Sequence, residues 1–175
     1  MKNKGVIILG SSRSNGNTHK VVTFFKEKTG FDLIDLNSKN IGEFDYNFEN
    51  RNDDFIPLIK QIVDKYEVLI FATPVYWYAM SGIMKTFFDR ISDCLKIEKE
   101  TGRKLRGKSM GMISCGADLE LKDGFSMPFK ESANYLGMNY LGDVHSWIEE
   151  EEIPKPVQSQ LIHFIENNIK TVDLI

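Results

Sequence analysis

Nine consecutive residues near the start of the chain, Gly10-Ser11-Ser12-Arg13-Ser14-Asn15-Gly16-Asn17-Thr18, carry the side chains with the clearest chemistry. Ser11, Ser12, Ser14 and Thr18 offer hydroxyl donors, and Gly16 allows the backbone close to a ligand. The loop follows the apolar run Gly5-Val6-Ile7-Ile8-Leu9 and precedes Val21, Val22, Phe24 and Phe25 at helical spacing. A strand, a hydroxyl-rich turn and a helix in succession set unpaired amides and the positive end of the helix dipole against an anion. Two phosphate loops are excluded. A Walker A loop has four residues between its glycines and a lysine after the second. Here five residues separate Gly10 from Gly16, and Asn17 holds the lysine's place. The Gly-x-Gly-x-x-Gly fingerprint of dinucleotide sites is also absent. Neutral donors without lysine suit a terminal phosphomonoester, and so a mononucleotide. Ser, Asn and Gly are good turn and cap residues too, so this loop alone leaves an ordinary strand-to-helix turn open.

A second constellation, Thr73-Pro74-Val75-Tyr76-Trp77-Tyr78-Ala79-Met80-Ser81-Gly82, sets three aromatics side by side after another apolar run. Aromatic faces stack on planar rings, so a flat heterocycle beside the phosphate loop accounts for them economically. Core filling or a subunit interface would account for at least one of the three.

The remaining pattern supplies the frame. Strands are expected at Gly5–Leu9, Phe31–Leu36, Val68–Ala72, Met110–Ser114 and Tyr140–Trp147. Helices are expected from Val21, from Asp53 or Asp54 to Tyr66, over Ser81–Ile97, over Ser126–Leu136 with Gly137 as its stop, and over Val157–Ile169. Asn37–Asn52 reads as a long loop over the sheet edge, and Glu98–Gly107 as a charged connection. Strands alternating with helices give a parallel sheet with right-handed crossovers. Five strands favour a flavodoxin-like three-layer sandwich of order 2-1-3-4-5 over a Rossmann-like one. Ligands in that order sit beyond the carboxyl ends of strands one and three, at Gly10 and Thr73.

The two motifs, the second continuing through Ile83-Met84-Lys85, together resemble the NADPH-dependent FMN reductase family of flavodoxin-like proteins, over nearly the whole chain. The resemblance implies FMN as cofactor and NADPH or NADH as donor. It implies phosphate contacts from Ser11, Ser12, Arg13, Ser14, Asn15, Gly16, Asn17 and Thr18. Ring contacts are implied from Pro74, Val75, Tyr76 and Trp77, with Ser114, Cys115 and Gly116 closing the other side. Arg13 could equally serve the extra phosphate of NADPH. Electrons would pass from the nicotinamide to a small acceptor such as a quinone, a free flavin, or a nitro or azo compound. The cofactor carries the chemistry, so no catalytic side chain is assigned. Amides near Pro74–Trp77 and Cys115–Gly116 are expected to stabilise charge on the reduced ring. Some members resembling this sequence hold an iron–sulfur cluster after the second strand, but Asn37–Asn52 contains no cysteine and no metal site is expected.

The 175 residues fit one domain, 1–175. They are 42% apolar and 27% charged, with two cysteines, Cys94 and Cys115, in keeping with a reduced cytoplasm. A net charge of −3 gives no case for nucleic acid. No apolar run approaches the ~20 residues of a membrane span, and Met1–Lys4 leads straight into an expected strand, so no signal peptide is expected. The acidic run Glu149–Glu152 reads as a solvated turn, and His19 as a surface residue. Lys85 could serve the site or simply be solvated. Tyr76, Trp77, Tyr78 and Met80 exceed what one ring covers, and Met84, Phe87 and Phe88 are expected to extend that face toward a second subunit in a homodimer or homotetramer. A flavodoxin-type electron carrier without its own substrate pocket is the alternative, disfavoured by the near balance of charge. A phosphate-binding or signalling module without flavin is a third reading.

Overall fold

Val6, Ile7, Ile8 and Leu9 are wholly buried, so the strand they form must be covered on both faces. The computed structural model describes residues 5–171; Met1–Lys4 lie outside the described residues. In chain order the elements are β1 (Gly5–Leu9), α1 (Asn17–Thr29), β2 (Asp32–Asp35), α2 (Phe55–Lys65), β3 (Val68–Pro74), α3 (Gly82–Lys96), α4 (Lys99–Arg103), β4 (Ser109–Cys115), α5 (Met127–Leu136), β5 (Asn139–Ser146) and α6 (Lys155–Phe164). The five strands form one parallel sheet of order β2-β1-β3-β4-β5.

Strand alternation divides the core in two. Val6, Ile8, Leu69, Phe71, Met110 and Met112 face α2, α3 and α5. Ile7, Leu9, Ile70, Ala72 and Ile113 face α1 and α6. Met84 and Phe87 are 0% and 1% exposed, so they belong to this core and do not reach toward another subunit. Phe88 is half-buried against Phe71 and Phe129.

Several boundaries depart from the sequence expectation for local reasons. β2 stops at Asp35 because that carboxylate accepts the Asn37 N–H (2.9 Å), opening a 3-10 turn over Leu36–Ser38. The charged connection contains α4. Asp53 and Asp54 divide the work at the start of α2: Asp53 accepts the Phe55 N–H (2.9 Å), and Asp54 accepts that of Asn40 (2.7 Å). α6 passes into one wide π turn over Ile165–Ile169. Gly137 closes α5 in left-handed backbone, φ 71°, as expected. Glu149–Glu152 folds into a tight turn, pinned by a Lys20–Glu151 ion pair.

The Asn37–Asn52 loop is also held from α3. Arg90, 1% exposed, donates to the carbonyls of Gly42 (2.9 Å) and Asn50 (3.1 Å) and to Asp53 (2.5 Å), and pairs with Asp93 (2.9 Å). Its guanidinium also lies 4.9 Å from the centre of the Phe55 ring.

Candidate functional site

Gly10 leaves β1 with its N–H on the Ala72 carbonyl (2.9 Å), which keeps the loop beside β3. A Cβ at Gly10 would fall 2.8 Å from Met84 Cβ, so glycine alone admits α3 this close. Ser81 then ties the two motifs together from below. As N-cap of α3 it accepts the Met84 N–H (3.1 Å), and its hydroxyl donates to the Gly10 carbonyl (2.5 Å). Thr73 Oγ1 accepts the Ser81 N–H (3.0 Å). Both are buried, at 0% and 1% exposure, so the carboxyl ends of β1 and β3 are fixed relative to each other.

Above this base the loop divides. Ser12, Arg13, Ser14, Asn15 and Asn17 are exposed, whereas Ser11 and Thr18 are buried. Ser11 Oγ accepts the Arg13 N–H (3.2 Å), which leaves its own O–H free to donate. Ser14 Oγ accepts from Asn37 Nδ2 (3.1 Å), a contact from the end of β2 that sequence spacing did not reveal. α1 begins with no side-chain cap and no acidic residue in its first turn. Its first amide bonded into the helix is that of Lys20, on the Gly16 carbonyl at 3.1 Å. The amides ahead of it and the dipole of a 13-residue helix therefore face the loop uncompensated.

Gly16 and Thr18 take places in the loop that residue type alone does not show. Gly16 has φ −83° and ψ −170°, extended backbone that any residue adopts, so conformational freedom is not its role. A Cβ there would meet Arg13 Cβ at 3.2 Å, and glycine instead keeps the turn tight. Thr18 is buried, and the Cys115 thiol, buried too, is pushed above its ordinary value by that burial, with the Thr18 and Ser146 hydroxyls acting in the opposite direction.

The aromatic loop is a two-residue hairpin. Tyr76 and Ala79 exchange N–H···O bonds of 2.9 and 3.0 Å, with Trp77 (φ 49°) and Tyr78 (φ 63°) in left-handed backbone between them. Trp77 is 94% exposed and Tyr78 65%, so neither fills the core of this chain. Tyr76 turns back toward the phosphate loop, its hydroxyl 3.0 Å from Ser12 Oγ, and that bond joins the two motifs at the surface.

The third wall is the end of β4. Val75 N–H donates to the Cys115 carbonyl (2.8 Å) and Gly116 N–H to that of Ser146 (3.0 Å). Ser114 Oγ lies 2.8 Å from His145 Nδ1. Of the amides expected to face a reduced ring, those of Val75, Tyr76 and Gly116 are thus spent within the protein, and Pro74 has none. The Trp77 and Ala117 amides, by contrast, make no hydrogen bond within the protein among the described residues. Lys85 pairs with Asp89 (2.5 Å) on the surface of α3. Thr73, Ser81, Asn37 and His145 were not singled out by chemistry in the sequence. The search of strand carboxyl ends that marked Thr73 would, carried to the fifth strand, have found His145 as well.

Donors at one end of the cleft and apolar or aromatic groups at the other fit a phosphomonoester carrying a flat ring. The sheet order and these two loops define a flavodoxin-like mononucleotide protein. The family model for NADPH-dependent FMN reductase matches residues 3–152, and the chain belongs to that family. A Bacillus subtilis protein named as an NAD(P)H-dependent FMN-containing oxidoreductase, YwqN, is 30% identical over 158 residues, spanning 81% of this chain and 83% of its own. An iron–sulfur flavoprotein of Clostridioides difficile is 31% identical over 197 residues, spanning 93% of this chain and 86% of its own. Among solved structures, the Trp repressor binding protein of Bacillus subtilis superposes with a TM-score of 0.73 at 24% identity, covering 94% of this chain and 97% of that one. The protein is therefore an NAD(P)H-dependent oxidoreductase that uses FMN. This sequence has two cysteines, Cys94 and Cys115, both buried and free.

Proposed function

We propose that the Ser11–Thr18 loop holds the FMN phosphate, and that the ring lies between Pro74–Trp77 and Ser114–Gly116. The uncapped, acid-free start of α1 carries this reading, because a helix of that length leaves its first amides needing an anion. When bound, FMN supplies the electron transfer between the nicotinamide nucleotide and the acceptor. The protein's part is position and electrostatics. The exposed hydroxyls and Arg13 neutralise the phosphate, Val75 and Tyr76 carry one edge of the ring, and Trp77 and Tyr78 screen it from water. The open, aromatic mouth suits a small planar acceptor such as a quinone, a free flavin, or a nitro or azo compound. The chain works as one domain in the cytoplasm, as a homodimer or homotetramer. Among the described residues no helix is long and apolar enough to cross a membrane.

The purified protein is expected to be yellow and to release FMN on heating, identified by chromatography against FMN and FAD. FAD as the main species would refute the phosphate assignment. NADPH or NADH mixed with the holoprotein and a quinone should be oxidised over many turnovers. A single stoichiometric reduction, with turnover only through a protein partner, would mark an electron carrier instead.

A further inference from the structure

His145, the next-to-last residue of β5, bridges two elements of the ring site. Its Nδ1 lies 2.8 Å from Ser114 Oγ and its Nε2 3.0 Å from the Asp118 carbonyl. A carbonyl only accepts, so Nε2 carries the proton, and in the neutral imidazole Nδ1 accepts from the Ser114 hydroxyl. The His145–Asp118 bond is the one hydrogen bond that ties the stretch Ala117–Leu121 to the rest of the molecule among the described residues. Ala117 to Glu120 are exposed, and Leu121 alone packs partly onto the core. The imidazole is itself seated: a Cβ on Gly116 would come within 3.2 Å of His145 Cε1 and 3.3 Å of Val75 Cγ2. A slot of about 20 Å³ runs between these groups, lined by Val75, Tyr78, Gly116, Leu121, Phe125 and His145. The stretch is thus closed against the ring loop and fastened at a single point.

We propose that His145 is a positioning residue that latches Ala117–Leu121 to the ends of β4 and β5 and thereby sets the β4-side wall of the ring site. The proposal rests on the ring placement given above. With both imidazole nitrogens engaged by the protein, His145 acts through Asp118 and not on the substrate. An unlatched wall leaves part of the population unable to bind, and KM for the nicotinamide rises by the inverse of the competent fraction while kcat holds. One neutral hydrogen bond supports a change of roughly two- to tenfold.

The test uses the FMN-loaded protein. His145→Phe keeps a ring on Gly116 and removes both hydrogen bonds; His145→Gln keeps a donor and an acceptor. In His145→Phe, amide hydrogen exchange across Ala117–Leu121 should quicken and KM for NADPH should rise, both by roughly two- to tenfold. Kcat should stay within about twofold, and His145→Gln should recover most of both changes. Exchange unchanged in His145→Phe overturns the latch, and faster exchange with unchanged KM overturns its role at the ring. Wild-type protein with and without FMN separates the underlying placement, which fails if FMN gives Gly116–Asp118 no added protection. If the variants do not fold, imidazole 15N shifts of the wild type decide: a single Nε2–H tautomer supports the latch, and rapidly averaging tautomers overturn it.

Discussion

Trp77 and Tyr78 stand in left-handed backbone, a conformation that costs a non-glycine residue about 1–2 kcal/mol. Two-residue hairpins of this kind are normally made with Asn-Gly, and bulky aromatics there are outliers. Strain tolerated at an exposed tip beside the ring site is best explained by work done there. Replacing the pair by Trp77→Asn with Tyr78→Gly should raise stability by about 1–3 kcal/mol in urea titrations. FMN affinity should fall, by up to about tenfold, because aromatic contacts of this type are worth about 0.5–1.5 kcal/mol. Equal FMN affinity in that variant would remove the pair from the ring site. Arg13 gives a second measurement. Arg13→Ala should weaken FMN by about tenfold or more with KM for NADPH unchanged, since hydrogen bonds to charged groups are worth about 1.5–3 kcal/mol. A rise in the KM for NADPH alone would assign Arg13 to the nicotinamide nucleotide. Both motifs were legible in the sequence because they stand together at the carboxyl ends of strands one and three, where either alone would pass for an ordinary turn or packing. The direction of each side chain was not. Thr18 and Ser11 are buried in a loop whose exposed hydroxyls are Ser12 and Ser14.

Among the elements, the sheet was the most legible and the loop after β2 the least. β1, β3 and β4 are nearly continuous apolar runs, which only a strand covered on both faces requires. Asn37–Asn52 has no period, and its buried anchor is an arginine in another element, 40 and 48 residues away from the carbonyls it holds. An arginine among apolar residues on a helix does not announce that its partners are carbonyls and a carboxylate on a distant loop. The energetic weight of that anchor is testable. Arg90→Met leaves Asp53 and Asp93 buried without their cation, which should cost about 3–5 kcal/mol of stability. Burial alone would raise the Asp53 carboxyl, but hydrogen bonds from Arg90 and from the Phe55 and Gly42 amides outweigh it and hold it below its ordinary 3.8. A carboxyl depressed in the folded state contributes stability that is full above its unfolded pKa and is lost as pH falls through the folded one. The contribution of this pair should therefore be complete at pH 5 and decay below about pH 4. Asp53→Asn should flatten the acid limb of stability against pH while leaving the FMN loop in place. An unchanged acid limb would show that other carboxylates dominate it.

At the scale of the whole molecule, the exposed apolar groups are too widely spread for one flavin ring. Trp77 and Tyr78 crown the ring loop, and Leu95 and Tyr135, 37% and 78% exposed, flank a groove of about 800 Å³ between α3 and α5 that begins at Met80. Monomers seldom show such a patch to water, and a second copy of the chain is the commonest cover. A stable interface needs about 800 Å² from each partner. The face differs from the one expected from sequence, because Met84 and Phe87 turned out to be core and the exposed groups lie further along α3 and on α5. Light scattering at micromolar concentration should therefore give a dimer or tetramer. Tyr78→Asp strikes the end of the face nearest the ring, and Tyr135→Asp strikes it away from any proposed FMN contact. Both should yield monomers. If assembly shapes the ring site, Tyr135→Asp will also hold FMN more weakly and reduce acceptors more slowly, although it touches neither. Full activity in a Tyr135→Asp monomer would confine the site to one chain. A wild-type monomer with full activity would refute the assembly and leave Trp77 and Tyr78 to the nicotinamide and the acceptor.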